Sequence, residues 1–357
     1  MMKKALIAMS GGVDSSVAAY LMQQAGFACT GATMRLHNTP QASREKSCCS
    51  LEDVEDARSV AVSLGIPFYV FNFSDDFDRQ VVDRFVSAYE HGQTPNPCID
   101  CNRYLKFDRL YRRAQELGID YVVTGHYARI ERNEQGRYLL KKGVTPEKDQ
   151  SYVLYAMTQD QLAHTQFPLG GLRKDQVREI AAQQGFLNAK KRDSQDICFV
   201  PDGDYAGFIR QYTGKDYPCG DFVDVDGNVI GRHKGLICYT VGQRRGLGVA
   251  AGKPVYVKEL QTDQNRVVLA ENAQLYQSTV IADDFNWIAF DAPQAPVRAM
   301  ARARYHHPEQ PATARVLEDG RVEIVFDQPQ RALTCGQAVV LYDGDVVLGG
   351  GTIRQVR

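Results

Sequence analysis

The segment that most restricts how this chain can fold is Ser10-Gly11-Gly12-Val13-Asp14-Ser15-Ser16. It stands between an apolar run at 5–9 and a stretch at 13–25 whose Val17, Leu21 and Met22 keep helical spacing until Gly26 stops it. The pattern reads as strand, tight loop, helix. Glycines let a backbone approach a phosphate closely, and the hydroxyls of Ser10, Ser15 and Ser16 are hydrogen-bond donors. A helix beginning near Val13 adds its positive end, and Asp14 is placed to orient Mg²⁺ or a neighbouring donor. The loop is suited to a polyphosphate. Its rival is a glycine-rich turn that holds no ligand. A Walker loop is excluded, because no Gly-x-x-x-x-Gly-Lys-Ser/Thr occurs and residues 207–216 have the wrong spacing and end in Asp.

Downstream, a strand at 30–36 is followed by a polar stretch at 38–46 that reads as a mobile loop. Ser50 with Asp53 opens a helix with the face Leu51, Val54, Ala57, Ala61 and Leu64, closed by Gly65. A strand at 67–73, helices at 76–90 and 104–117 and a strand at 121–124 continue the alternation. This predicts an α/β domain with a doubly wound parallel sheet, in which ligands bind beyond the carboxyl ends of the strands. Ser10, Met34 and Gly125 all fall there.

Helical stretches at 174–184 and 204–211 flank a basic and polar segment at 190–199. From Asp221 onward the pattern changes to short alternating runs with turn signals at Asp226-Gly227, Asp319-Gly320 and Asp343-Gly344. The expected division is a catalytic domain at 1–203, a small β-rich central module at 204–271 and a C-terminal β-barrel at 272–357. Barrel strands are expected at 279–282, 312–317, 322–326 and 339–342.

A net charge of -1 over 357 residues gives no global attraction to a polyanion. Any nucleic-acid surface must come from local clusters such as Lys190-Lys191-Arg192 or Arg244-Arg245, for which a solvated face is the plain alternative. No apolar stretch reaches the roughly 18 residues of a membrane span, and the run at 5–9 lacks a cleavage site. Nine cysteines, an odd number with Cys48 and Cys49 adjacent, fit cytosolic thiol chemistry better than a secreted disulfide framework.

Cys98 and Cys101 form a Cys-x-x-Cys pair in a proline-bounded loop, a spacing shared by zinc sites, iron-sulfur sites and dithiols. Cys198 lies in the polar run Asp193-Ser194-Gln195-Asp196-Ile197-Cys198-Phe199, an odd setting for core filler. The bland alternative is a set of buried thiols. Cys29, Cys219, Cys238 and Cys335 read as structural, and Cys48-Cys49 as either. His306-His307 would point apart on a strand, and Gly246-Leu247-Gly248 with Ala251 lacks the setting of a dinucleotide fingerprint.

The glycine loop resembles that of the pyrophosphate-loop family, whose members form adenylates and release pyrophosphate. A longer ordered series is similar to the bacterial tRNA-specific 2-thiouridylase family. It comprises Thr94-Pro95-Asn96-Pro97 with Cys101-Asn102, Thr124-Gly125-His126-Tyr127-Ala128, Lys148-Asp149-Gln150-Ser151-Tyr152, Cys198-Phe199, the run from Tyr239 to Gly248, Arg304-Tyr305 and Gln330-Arg331-Ala332. The resemblance implies ATP-dependent replacement of the 2-oxygen of a wobble uridine by sulfur in the cytoplasm. It implies ATP with Mg²⁺ at Ala8, Met9, Ser10, Gly11, Gly12, Val13, Asp14, Ser15, Met34 and Gly125. Cys198 would carry sulfur as a persulfide, and Cys101 would act as nucleophile, the two passing through a transient disulfide. Asn96 and His126 would read the base, and Lys148, Asp149, Gln150, Arg304, Tyr305 and Gln337 would contact tRNA. The partners implied are tRNA and a sulfur donor such as a cysteine desulfurase or a sulfur-relay protein. Cys98 is a departure, since much of the family has Asp there. It opens a second route, an iron-sulfur cluster on Cys98, Cys101 and Cys198. Two rivals remain at this level, another pyrophosphate-loop adenylating enzyme and a non-catalytic carrier.

Overall fold

The central strand, Lys4–Ala8, places Ala5, Leu6 and Ile7 entirely out of solvent. Its side chains are buried on both faces, which is why the run is continuously apolar rather than alternating. The strand is the middle of a five-stranded parallel sheet in the order Phe68–Asn72, Ala28–Arg35, Lys4–Ala8, Tyr121–Val123, Thr165–Gln166. The computed structural model describes residues 2–36, 51–191, 197–250 and 252–357. The expected loop at 38–46, together with Cys48, Cys49, Ser50, Arg192, the stretch 193–196 and Ala251, lies outside the described residues.

Helices Val13–Gln24, Leu51–Ser63 and Lys174–Gln183 cover one face of the sheet through Val17, Ala18, Ala57, Val60, Val177 and Ala181. The other face is covered by Phe77, Val81, Phe85, Leu105 and Leu110, so the sheet is doubly wound. Two helices on that side differ from expectation. The one expected at 76–90 runs as Ser74–Phe77, a wide π turn at Asp78–Val82, and Asp83–Glu90. The one expected at 104–117 begins earlier, as Pro97–Asp100, and continues through a π-helical run, Cys101–Arg109, into Leu110–Glu116. Pro97 occupies the first turn, where a missing N–H costs nothing, and the Asn96 side chain caps the helix from outside. The prolines that read as a loop are the start of a helix.

The central module is a four-stranded sheet in the order Tyr256–Gln261, Arg266–Ala270, Gly220–Val223, Val229–His233. Its helix Tyr205–Thr213 buries Ile209 in the catalytic domain's apolar cluster. The C-terminal barrel is made of Tyr276–Trp287, Val297–Arg302, Gln310–Val316, Val322–Arg331, Ala338–Asp343 and Val346–Val356. The first of these pairs with the last and closes the barrel, which removes exposed edges. An unforeseen hairpin, Ala128–Arg132 with Tyr138–Lys142, leaves the catalytic domain and adds itself to the barrel sheet where Lys141 pairs with Val346. Gly227, Gly320 and Gly344 take positive φ at the three expected turns. Among the described residues, no helix is long and apolar enough to cross a membrane.

Candidate active site

The glycine loop follows the carboxyl end of Lys4–Ala8, whose neighbours on either side end at Met34-Arg35 and at Val123. Strand order reverses between this strand and Tyr121–Val123, the place where open α/β sheets hold ligands. The Met9 N–H donates to the Ala32 carbonyl at 2.8 Å and the Thr33 hydroxyl to the Met9 carbonyl at 2.7 Å, which tie Ala8 and Met9 to the neighbouring strand. Gly11 has φ +74, and a β-carbon there would stand 2.3 Å from the Asp53 carbonyl oxygen. Gly125 lies flat against the backbone of Asp14 and Ser15, where a β-carbon would come within 3.0 Å.

Within the loop the three serines divide. Ser10 is exposed, whereas Ser15 and Ser16 are buried and both donate to the Gly12 carbonyl, at 3.0 and 3.1 Å. The Ser10 N–H donates to the Ser15 hydroxyl at 3.2 Å, and Asn188 donates through Nδ2 to the Gly11 carbonyl and to the Ser16 hydroxyl. Ser15 and Ser16 therefore shape the loop from inside. Asp14 accepts from both Lys174 Nζ, at 2.7 and 2.8 Å, and the Tyr127 hydroxyl, at 2.8 Å. Its carboxylate orients a neighbouring cation. Lys191 adds a second tie, donating to Asp53 at 2.7 Å and to Asp56 at 2.6 Å. The sequence reading missed Lys174 and Asn188, which stand more than 150 positions from their partners and carry no local signal.

The Asn96 side-chain Oδ1 accepts from the Cys98 N–H at 3.1 Å, so Asn96 caps the helix that carries Cys98 and leads into Cys101. Cys98 is exposed, while Cys101 and Cys198 are half-buried. The latter two pack on one apolar cluster, which includes Leu36 and Phe73 from just beyond the carboxyl ends of two strands. Phe199 pins the Cys198 segment among Phe77, Phe85 and Phe208, with ring centroids 5.2 to 5.7 Å apart. Neither thiol is in a disulfide, nor is any other described cysteine. Burial pushes the Asp100 carboxyl, beside Cys101, up to about 6 against the opposing pull of Arg84 and Arg103. Among the described residues no group of three His, Cys, Asp or Glu is gathered to hold a metal ion.

The residues expected at tRNA form a braced assembly. His126 is buried against Phe107 and Phe167, shares a 2.7 Å hydrogen bond with Thr124, and is held well below the ordinary histidine range by that burial. Asp149 is turned inward and accepts from the Gly143 and Ser151 N–H groups and the Ser151 hydroxyl. Gln150 is bonded in both directions to the Tyr127 backbone, and Lys148 ends a short turn, half-buried. Tyr305 donates to the Asp149 carbonyl, and its phenol is pushed up first by burial, then by Asp149 and Cys98 nearby. Arg304 donates to Thr334 at 2.9 Å, and burial holds its guanidinium below the ordinary arginine range. Gln337 donates to the Thr94 carbonyl at 2.8 Å, while the Thr94 N–H donates to the Cys335 carbonyl. The barrel thus grips the cysteine loop. Arg244 and Arg331 flank the Tyr256 ring where the central module meets the barrel.

A glycine loop without a Walker lysine, set between the central parallel strand and its helix at the reversal of strand order, defines a pyrophosphate-loop α/β protein. The chain is 50% identical over 357 residues to tRNA-specific 2-thiouridylase MnmA of Clostridioides difficile (strain 630), covering 99% of both chains. It is likewise 50% identical over 355 residues to the protein of that name from Lachnoclostridium phytofermentans, again covering 99% of both. The chain belongs to the tRNA-specific 2-thiouridylase family. Three family descriptions match in sequence: tRNA methyl transferase HUP domain at 3–202, tRNA methyl transferase PRC-barrel domain at 206–271, and aminomethyltransferase beta-barrel domain at 277–353. Among solved structures, a 4-thiouridine synthetase–RNA complex with bound ATP is 20% identical with a TM-score of 0.38, over 59% of this chain and 50% of that one. NMN synthetase from Francisella tularensis is 19% identical with a TM-score of 0.34, over 61% and 79%.

Proposed function

We propose that this protein activates the 2-oxygen of the wobble uridine of tRNA with ATP and replaces it with sulfur. The observation that carries the reading is that Cys101 and Cys198, far apart in sequence, both pack against the apolar cluster that covers one face of the parallel sheet whose central strand leads into the glycine loop. The uridine oxygen attacks the α-phosphate, pyrophosphate leaves, and a poor leaving group becomes AMP. Backbone N–H groups of the loop, the helix N-terminus at Val13 and the Lys174 cation stabilise the phosphate charge.

A cysteine desulfurase or sulfur-relay protein in the cytoplasm loads Cys198 as a persulfide. Its terminal sulfur attacks C2 of the adenylated base and AMP departs. The Cys101 thiolate then attacks Cys198 Sγ, the sulfur–sulfur bond breaks toward the base, and 2-thiouridine leaves with a Cys101–Cys198 disulfide behind it. An external dithiol must reduce that disulfide before the next turnover. The uridine has to leave its loop to reach these thiols, and Asn96 and His126 are the candidates to read its edge.

Among the described residues no three His, Cys, Asp or Glu gather to hold a metal ion. Asp14 is engaged by Lys174 and Tyr127, and the three cysteines do not converge as ligands. Mg²⁺ would enter on the triphosphate, and no step is routed through an iron-sulfur cluster.

The test is incubation with ATP, a persulfide donor and unmodified tRNA, followed by digestion and detection of 2-thiouridine. Cys101→Ser and Cys198→Ser should each abolish the product while tRNA affinity stays within about twofold. Absence of thiolated nucleoside with the wild-type protein would refute the reading. Anaerobic purification should yield an active, colourless protein without iron or acid-labile sulfide.

A further inference from the structure

The barrel's longest strand, Tyr276–Trp287, is interrupted by a bulge. Asp283 pairs with Thr352 and Asn286 with Gly350, so three steps along one strand face two along the other. Inside the bulge Asp284 has φ +48, in the left-handed region that an L-residue occupies only at an energetic cost. The facing strand is stripped to Gly349, Gly350 and Gly351. A β-carbon at 349 or 351 would press on the Phe285 ring, and one at 350 would stand 2.8 Å from the Tyr155 ring.

This distortion turns three side chains toward the catalytic domain or the cysteine loop. Asn286 donates to the carbonyls of Tyr155 and Met157 at 2.7 and 2.9 Å. Asp283 accepts from Arg354, which also reaches Gln93 at 3.4 Å. Asp284 grips Arg103 with both oxygens, the second contact being 3.1 Å. Arg103 is two residues beyond Cys101, in the first turn of the π-helical run, and its guanidinium also lies over the Tyr104 ring. Arg103 is 31% exposed and Asp284 49%, and pairs so exposed add little to global stability. A strained residue is thus spent on a contact whose effect is local.

We infer that Asp284 is a positioning residue for Cys101: its carboxylate, delivered by the bulge, clamps Arg103 and holds the cysteine helix in register with the adenylated base. The inference rests on the reading of Cys101 as nucleophile. Misplacing a reacting group by about 1 Å can cost on the order of 100-fold in rate.

The decisive experiment uses the full-length chain under saturating ATP and tRNA, with Asp284→Gly, Asp284→Asn and Arg103→Gln. Glycine relieves the backbone strain, so Asp284→Gly should melt at or above the wild-type temperature. Its kcat for thiolation should nevertheless fall roughly 10- to 100-fold, with the KM for tRNA and the rate of pyrophosphate release within about twofold. Arg103→Gln should match it, the double variant should be no slower than the slower single variant, and Asp284→Asn should lie between. Wild-type kcat in Asp284→Gly, or a loss that appears in KM or in melting temperature instead, overturns the inference; should that variant not fold, Asp284→Asn and Arg103→Gln decide by the same criteria. Cys101→Ser is assayed alongside. If it still thiolates, the nucleophile assignment fails; if it is inactive while the Asp284 and Arg103 variants are not impaired, only the clamp fails.

Discussion

The loop at 10–16 and the cysteine segment at 93–103 are held in different ways. The first is held from within its own domain, with Ser15 and Ser16 closing on the Gly12 carbonyl and Asn188, Lys174 and Tyr127 bracing it from later in that domain. The second is held by the barrel: Gln337 reaches Thr94 across 243 positions and Asp284 reaches Arg103 across 181. Those ties form as soon as the catalytic domain folds. The thiols are placed only once a separate domain has docked. Damage to the barrel should therefore separate sulfur transfer from adenylation.

The largest expected effect breaks the side held within one domain. Gly11→Ala puts a β-carbon 2.3 Å from the Asp53 carbonyl at a positive φ, so it should cost about 3 kcal/mol or more and remove ATP binding. Denaturant unfolding and nucleotide titration check both, and wild-type affinity would show that the close approach is not required. Gln337→Leu strips the Thr94 carbonyl of a buried donor and should cost about 1–3 kcal/mol. Pyrophosphate release should persist while 2-thiouridine formation drops, and equal loss of both would erase the contrast between the loops.

His126 lies between the two loops, next to Gly125 and packed on Phe107 of the cysteine helix. Burial keeps it neutral in the native state, with its pKa well below the ordinary 6.5. The unfolded chain binds a proton there as pH falls below about 6.5, so native stability should decline as pH drops below that value and be unaffected by this group above it. The slope is at most about 1.4 kcal/mol per pH unit. Urea midpoints between pH 7.5 and 5.5 should fall less steeply for His126→Gln than for the wild type, and parallel curves would place the proton elsewhere. At the small end, Arg298→Ala breaks an exposed pair with Asp327 and a 3.3 Å hydrogen bond to Thr313 on the barrel, and should leave both the urea midpoint and thiolation nearly unchanged.

Much of the nucleotide half was legible because its signals are local. An apolar run, two glycines and a helical period fall within about one strand and one helix of sequence, and Met34 and Gly125 follow from the rule that ligands sit at strand carboxyl ends. The cysteine half was legible only as residue types. Pro95 and Pro97 read as loop residues, whereas Asn96 and Pro97 start a helix whose π-helical continuation holds Cys101. Asp149 and Gln150 stand in a motif expected at tRNA, and the structure turns the Asp149 carboxylate inward and ties Gln150 to Tyr127. The triple glycine at 349–351 was the one available hint that two rings pack closely on the barrel wall.

The sequence alone determined the polyphosphate loop, the order of α/β domain before β-rich modules, and the cysteines available for sulfur chemistry. Each of these rests on spacing between near neighbours, where backbone geometry leaves few alternatives. The tertiary structure decided that Lys174 meets Asp14, that a hairpin from the catalytic domain joins the barrel, and that Asp284 grips Arg103. Desolvation and ion pairing depend on which groups become neighbours, and here those neighbours lie on distant elements that only domain packing brings together.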